Sequence, residues 1–141
     1  MIQIKEFDPI LISDTYVSWL SDTDVMRYMD QSSFNSSIEE LRCWVEAMLS
    51  SERDHLFSIH YGEQHIGNVK VGNVDFQTSN ADIGLMIGSK QHWGVGAGRA
   101  AVEFATAFCF NELSLKSVYA GLQVPNLGSL AVFLKSGFRV Y

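Results

Sequence analysis

The sequence predicts an α+β fold with a mixed, mostly antiparallel central sheet flanked by helices. Alternating apolar and polar residues indicate strands at 2–4, 57–61, 65–74, 81–87 and 117–124. Apolar residues spaced three and four apart indicate helices between the first two strands and again after the fourth. The second, third and fourth strands are joined by connections too short to hold a helix, so we expect them to pair antiparallel.

The predicted helices have recognisable starts. Asp14 and Asp22 can each cap a short helix. Residues 36–39, Ser-Ser-Ile-Glu, resemble a capping box and precede the longest apolar stripe of the chain. A further helix is expected from about residue 95 to 113, and Asn126 is placed to cap the last one.

The composition is that of one globular domain, which we expect to cover residues 1–141. Sixteen acidic against ten basic residues give a net charge of −6, which disfavours nucleic acid as a partner and favours cationic substrates such as amines. No apolar run is long enough to span a membrane, and no basic-then-apolar signal opens the chain. We therefore expect a cytoplasmic protein that does not bind membranes.

The cysteines and histidines predict neither a disulfide nor a metal site. Cys43 and Cys109 lie in helical patterns among apolar neighbours, so we expect buried free thiols rather than a disulfide, a metal pair or a nucleophile. The four histidines show no metal-ligand spacing, so no metal is predicted.

A glycine-rich turn, from Gln91 to Arg99, separates the fourth strand from the next helix. Its glycines at 94, 96 and 98 allow close approach of a ligand and positive φ angles. The helix that follows adds unpaired N–H groups and the positive end of its dipole. Together these features favour phosphate binding. The spacing matches neither the dinucleotide fingerprint nor the P-loop, so a plain strand-to-helix connection explains the turn alone equally well.

Three segments in order resemble the GNAT superfamily of acetyl-CoA-dependent N-acetyltransferases. Residues 91–96, Gln-His-Trp-Gly-Val-Gly, resemble its Q/R-x-x-G-x-G/A pyrophosphate loop. Residues 81–87 resemble the strand before that loop, and residues 126–138 resemble its last helix with the N-x-x-S and K-x-G-F ends. The chain is most similar to the Rim-type branch, which acetylates protein N-termini and has relatives that act on amino sugars and small amines.

The resemblance implies where acetyl-CoA would bind. Backbone N–H groups from Trp93 to Arg99 would hold the pyrophosphate, and the strand before them would hydrogen-bond the pantetheine arm in a V-shaped gap beside the next strand. The side chains of Lys90, His92 and Arg99 could contact the nucleotide or face water. The implied cofactor-binding residues are Leu85, Met86, Ile87, Gln91, His92, Trp93, Gly94, Val95, Gly96, Ala97, Gly98, Arg99, Asn126 and Ser129.

Acetyl transfer to an amine needs a group that takes the proton of the amine, and an acid for the leaving thiolate helps. Asp82 is the first candidate base, because related proteins often carry an acid at its position on the polar face of the strand. An ordinary surface carboxylate is the alternative, and Asp75 and His65 are second candidates. The usual tyrosine acid of the superfamily falls at Phe133, which has no proton to give. Ser129 matches the serine of the Rim-type branch, although such a serine can serve the backbone alone.

The predicted function is transfer of an acetyl group from acetyl-CoA to a primary amine, on a protein N-terminus, an amino sugar or a small amine, in a ternary complex. A non-catalytic acyl-CoA-binding or sensing module of the same fold and a plain interaction domain are the alternatives. Superfamily members usually continue beyond the Gly-Phe pair through further strands, whereas this sequence ends at Tyr141. We therefore expect the last strand to be short or missing, to be supplied by a partner chain, or to be lost because the sequence is a fragment. An edge left unpaired in this way would favour a homodimer.

Overall fold

The computed structural model describes residues 1–26, 37–120 and 132–139. The chain order of its elements is β1 (Ile2–Glu6), a 3-10 turn (Pro9–Leu11), α1 (Asp14–Ser21), α2 (Thr23–Met26), α3 (Ile38–Ser50), β2 (His55–Tyr61), β3 (Gln64–Asp75), β4 (Asn80–Ile87), a second 3-10 turn (Lys90–His92), α4 (Ala97–Ala107) and β5 (Ser117–Tyr119). A π-helical segment, Phe108–Glu112, continues α4. Residues 132–135 are helical.

The described strands form one sheet in the order β1-β2-β3-β4-β5. The pairs from β1 to β4 are antiparallel, and β4 pairs with β5 in parallel. The parallel pair arises because the chain crosses back along α4 before it re-enters the sheet. The predicted mixed, mostly antiparallel sheet is therefore confirmed. The predicted end of the fifth strand falls within residues 121–131, outside the described residues.

The sheet separates two apolar clusters. On one face, α4 buries small residues against the strands; its buried members are Ala97, Ala101, Val102 and Ala105. On the other face, α1 and α3 pack against the sheet through Tyr16, Trp19, Leu41 and Val45. Consecutive residues of β4 alternate between these clusters, since Leu85 packs with the first and Met86 with the second. The strand is thus supported from both sides.

The starts of α1 and α3 lie one residue away from the predicted positions. Ser13, and not Asp14, caps α1, because its hydroxyl accepts a hydrogen bond from the Tyr16 N–H at 3.2 Å. Ser37 caps α3 in the same way by accepting from the Glu40 N–H at 3.2 Å. The capping box therefore spans residues 37–40 and not 36–39. A serine hydroxyl is short enough to reach the N–H of the third helical residue while its own backbone stays extended.

Two further predictions about helices have different outcomes. Asp22 caps α2, since its Oδ1 accepts from the Asp24 N–H at 2.9 Å. The helix expected from residue 95 begins at Ala97 instead, because Gly96 has a left-handed φ of 86°.

Cys109 is buried as predicted, but Cys43 is exposed. The prediction for Cys43 was wrong because α3 faces the core two residues away on either side.

Candidate functional site

The junction of β4 with β5 is only partly closed. β5 pairs with β4 at Asn80, Ala81 and Asp82, opposite Ser117, Val118 and Tyr119. Residues 83–87 of β4 have no strand partner on that side within the described part of the chain. The other edge of this stretch pairs with β3. An extended ligand can lie along the edge that faces β5 and pair with it, as an added strand would.

The loop after β4 forms a concave arrangement of backbone donors. Gly94 and Gly96 have φ angles of 84° and 86°, and a side chain at either position would meet no atom within 4 Å. The first intrahelical bond of α4 runs from the Ala100 N–H to the Gly96 carbonyl at 3.1 Å. The N–H groups of residues 97–99 therefore point out of the helix start. Left-handed residues followed by a helix start are the usual geometry of an anion-binding nest.

Gly98 brings this helix start directly against β4. A Cβ atom at Gly98 would lie 3.3 Å from Leu85 Cδ2 and 3.5 Å from Val132 Cγ2. The contact with Leu85 would be tight and the one with Val132 ordinary, so the lack of a side chain lets the first turn of α4 lie close to the strand. The first turn of α4, which follows the loop, therefore lies directly against Leu85 of β4.

The aromatic side chains of the loop are held by their surroundings. The Trp93 indole N–H donates to the Ile87 carbonyl at 2.9 Å. His92 Nδ1 lies 2.7 Å from Ser89 Oγ, and its ring lies 5.0 Å from that of Tyr61. Trp93 is 48% exposed and Val95 is 44% exposed, so both side chains border solvent at the nest. Gln91 is also exposed.

The two basic side chains considered for phosphate contact are engaged with carboxylates. Arg99 Nε lies 3.0 Å from Glu103 Oε1, one helical turn later. Lys90 Nζ lies 2.9 Å from carboxylate oxygens of both Asp22 and Asp24. These hydrogen bonds raise the pKa of Lys90 and lower that of Asp22. Lys90 thus ties the start of the loop to the corner between α1 and α2, a contact that local sequence patterns do not show.

Asp82 lies in the closed half of β4, opposite Tyr119. Its Oδ2 accepts a hydrogen bond from Asn73 Nδ2 at 2.8 Å. Ile87 lies five positions further along the strand, which corresponds to about 17 Å along the sheet. The structure therefore does not bring Asp82 into contact with the loop. Asp75, a second candidate, accepts from the Gln77 and Thr78 N–H groups, and these bonds lower its pKa.

The two candidates near the chain end have separate outcomes. Asn126 and Ser129 lie outside the described residues, so their predicted roles stay predictions. Phe133 is 3% exposed and packs edge-on against Phe138, with ring centroids 5.0 Å apart. The position of the usual tyrosine acid is thus occupied by a packed phenyl ring.

Polar side chains are buried beneath α1, where periodicity alone predicts an apolar interface. Tyr16, His60 and Asn68 are 2%, 6% and 5% exposed. His65 Nε2 lies 2.9 Å from Asn68 Oδ1, and its ring lies 5.5 Å from that of His60. Burial lowers the pKa of both histidines. The sequence signal for this cluster was the presence of polar residues on the inner face of β2 and β3, because buried polar groups in a strand require partners.

No group of three or more His, Cys, Asp or Glu side chains among residues 1–26, 37–120 and 132–139 is arranged to hold a metal ion. Within the same ranges, no helix has the length and apolar character needed to cross a bilayer.

Comparison with known proteins gives a family. Residues 6–139 match the acetyltransferase (GNAT) domain family. Among solved structures, a spermidine N-acetyltransferase from Vibrio cholerae, in complex with CoA and spermine, has a TM-score of 0.87 at 17% identity over 98% of this chain and 80% of that one. RimL, a ribosomal-protein alpha-N-acetyltransferase in complex with coenzyme A, has a TM-score of 0.85 at 14% identity over 97% and 79%. A domain from Methanocaldococcus jannaschii has a TM-score of 0.81 at 22% identity over 99% and 88%.

No curated protein sequence matches the chain significantly. At such low identities the structural likenesses establish the fold alone, which agrees with the sheet and helices described above. The family match spans nearly the whole sequence and confirms the resemblance seen in the loop, the strand and the chain end. The chain therefore belongs to the GNAT acetyltransferase family.

Proposed function

We propose that this protein transfers the acetyl group of acetyl-CoA to a primary amine by direct attack within a ternary complex. The observation that carries the proposal is the nest of backbone donors at Gly94 to Arg99, which directly follows a strand whose residues 83–87 have, among the described residues, no strand partner on the β5 side. A pyrophosphate needs the first feature and an amide-containing arm needs the second. Acetyl-CoA carries both groups in one molecule.

The proposed cofactor contacts are mainly backbone groups. The pyrophosphate lies on the N–H groups of residues 94–99, where the positive end of the α4 dipole adds favourable field. The pantetheine arm lies beside Leu85, Met86 and Ile87. Arg99 and Lys90 are engaged with carboxylates, so their side chains are secondary to the backbone in holding phosphate.

The acceptor is proposed at the level of its class, a primary amine. The protein carries a net charge of −6, which favours encounter with cationic molecules. The similar structures include a spermidine N-acetyltransferase and a ribosomal-protein alpha-N-acetyltransferase, both named for amine acceptors. A protein N-terminus, an amino sugar and a small amine therefore all remain within the proposal.

Ser129 keeps its proposed role as thiolate donor, whereas Asp82, bonded to Asn73 in the half of β4 that pairs with β5, is the weaker candidate for the proton acceptor. A hydroxyl that hydrogen-bonds the departing sulfur eases the loss of thiolate, although a thiol pKa of about 8.5 makes full protonation unnecessary. The amine needs more help, since a free amine with a pKa near 10 is mostly protonated at neutral pH.

A non-catalytic acyl-CoA-binding module is the second candidate function. The observation that favours it is the buried phenyl ring of Phe133 at the position of the usual acid. Such a module would bind acetyl-CoA without consuming it.

Turnover separates the two candidates. The chain is mixed with acetyl-CoA and with a panel of peptide N-termini, polyamines and amino-sugar nucleotides, and release of the CoA thiol is followed. We expect thiol release that depends on one class of amine, with the acetylated amine detected by mass spectrometry. Acetyl-CoA binding without turnover across the panel would favour the binding module, and absence of binding would contradict both.

A further inference from the structure

A polar cluster lies between α1 and the sheet, on the face opposite α4. It comprises Tyr16, His60, His65 and Asn68. Ser58 is also part of it, because Ser58 Oγ and His60 Nε2 are within hydrogen-bond distance, 2.8 Å apart. The rings of Tyr16 and His65 are in edge contact, with centroids 5.9 Å apart. Burying so many polar groups costs free energy unless they are satisfied or used.

Asn68 is the member of the cluster that is not satisfied. Its Oδ1 lies 2.9 Å from His65 Nε2. Burial raises the pKa of the neighbouring Tyr16, and the Asn68 amide opposes part of that rise. Even so, Asn68 Nδ2 is buried without a hydrogen bond of good geometry. An unpartnered buried amide in an otherwise bonded cluster needs an explanation beyond packing.

The cluster lies directly behind the open half of β4. Asn68 faces Met86 in the β3–β4 register, and directly opposed residues place their side chains on the same face of a sheet. Met86 belongs to the stretch of β4 that the described residues of β5 do not reach. A thioester held beside this stretch lies between two features, the loop with α4 on one side and the polar cluster on the other. The acceptor amine has to reach the thioester without colliding with the cofactor, so it enters from the side of the cluster.

His65 has contacts that suit a proton acceptor. Burial and the nearby His60 lower its pKa, so the ring is neutral near pH 7. The Asn68 side chain and the Gly67 backbone hydrogen-bond the ring and favour its protonated form. His65 also lines an open groove of about 310 Å³, together with Ile10, Leu11, Ser13, Thr15 and Gln64. The ring thus connects the buried amide with solvent.

The other titratable groups that face His65 are less suitable. Burial raises the pKa of Tyr16, which therefore keeps its proton. His60 lies one strand further from β4, bonded to Ser58, and the charge of Lys5 disfavours its protonation. Asp82 lies in the half of β4 that pairs with β5.

We propose that His65, positioned by Asn68, takes up the proton that the acceptor amine loses during acetyl transfer and releases it to solvent through the groove beside Ser13 and Gln64. This inference rests on the proposed acetyltransferase function. The ammonium N–H bond breaks and its proton goes to the imidazole. The freed nitrogen lone pair forms the C–N bond, the C–S bond breaks, and its electron pair leaves with the sulfur. The second proton that this nitrogen loses passes to the thiolate, so the products are the amide and the CoA thiol. The imidazolium then loses its proton to water.

The test is the pH dependence of kcat/KM for the best amine of the panel, in the wild type and in His65→Gln. We expect the variant to lose about a hundredfold in kcat/KM at pH 7, as is typical when a positioned base is removed. Its kcat/KM should then rise about tenfold per pH unit toward the pKa of the amine, because free amine no longer needs a protein base. The acetyl-CoA Kd should not change.

Control variants separate this role from a structural one. His55→Gln removes a histidine that packs on Phe108 elsewhere in the fold, and it should follow the wild-type profile. Asp82→Asn should reproduce the hundredfold loss only if Asp82 is the base instead. A His65→Gln profile parallel to the wild type would overturn the inference while leaving the acetyltransferase proposal intact. Absence of turnover in the wild type would instead contradict the function itself.

Discussion

Replacement of Gly67 by alanine tests how closely β3 must approach the open half of β4. A Cβ atom at Gly67 would lie 2.2 Å from the Met86 carbonyl oxygen and 2.9 Å from Ile87 Cα. Since unstrained contacts begin near 3.5 Å, the strands would have to separate locally by about 1.3 Å. Overpacking of this kind, with a weakened ladder hydrogen bond, costs about 2 to 4 kcal/mol. For a chain of this size the Tm should fall by about 10 °C.

The assay combines thermal unfolding with acetyl-CoA titration. Separation of the strands moves the backbone of Met86 and Ile87, so Gly67→Ala should also weaken acetyl-CoA binding. Gly84→Ala is the matched control in the same strand pair, because its nearest neighbour, Lys70 Cε, would be 4.0 Å away. The control should keep its Tm and its affinity. A Gly67→Ala protein with unchanged Tm would refute the close approach, and one with a lowered Tm but unchanged affinity would refute the link between this strand and the cofactor.

Two further predictions concern charged groups. Lys90→Met should return the pKa of Asp22 toward its ordinary value of 3.8, as measured by NMR titration, because Lys90 is the main cause of its lowering; an unchanged pKa would show that the tie between the loop and α2 does not form in solution. The free energy of unfolding should fall as pH drops from 7 to 5, because burial depresses the folded pKa of His60 and His65 below 6.5 and the unfolded chain takes up protons first. The urea midpoint at these two pH values measures this, and a His60→Gln, His65→Gln double variant should be nearly independent of pH over the same range.

The sequence was sufficient for the features that depend on neighbouring residues. Strand alternation, the Asp22 cap and the position of the glycine-rich turn are local, and each appears in the structure at or near its predicted place. The cap positions at Ser13 and Ser37 were each missed by one residue, because adjacent serine and aspartate residues compete for the same helix end.

Features that depend on distant residues could not be predicted in this way. Lys90 contacts Asp24, which is 66 positions away in the sequence. This contact forms because the corner of α1 and α2 packs on the loop. The bond between His65 and Asn68 becomes significant only because α1 covers it. Each of these arises from tertiary packing and not from periodicity.

The most direct test of the account is acetyl-CoA titration of a matched pair of variants, Val95→Glu and Val95→Gln, by calorimetry. Val95 is 44% exposed within the nest and does not have a positive φ, so both side chains fit without strain. A carboxylate about 7 Å from the pyrophosphate costs about 2 kcal/mol per phosphate charge at an effective dielectric of about 20. Val95→Glu should therefore bind acetyl-CoA at least about tenfold more weakly than Val95→Gln, whereas equal affinities of the two variants would contradict phosphate binding at this loop.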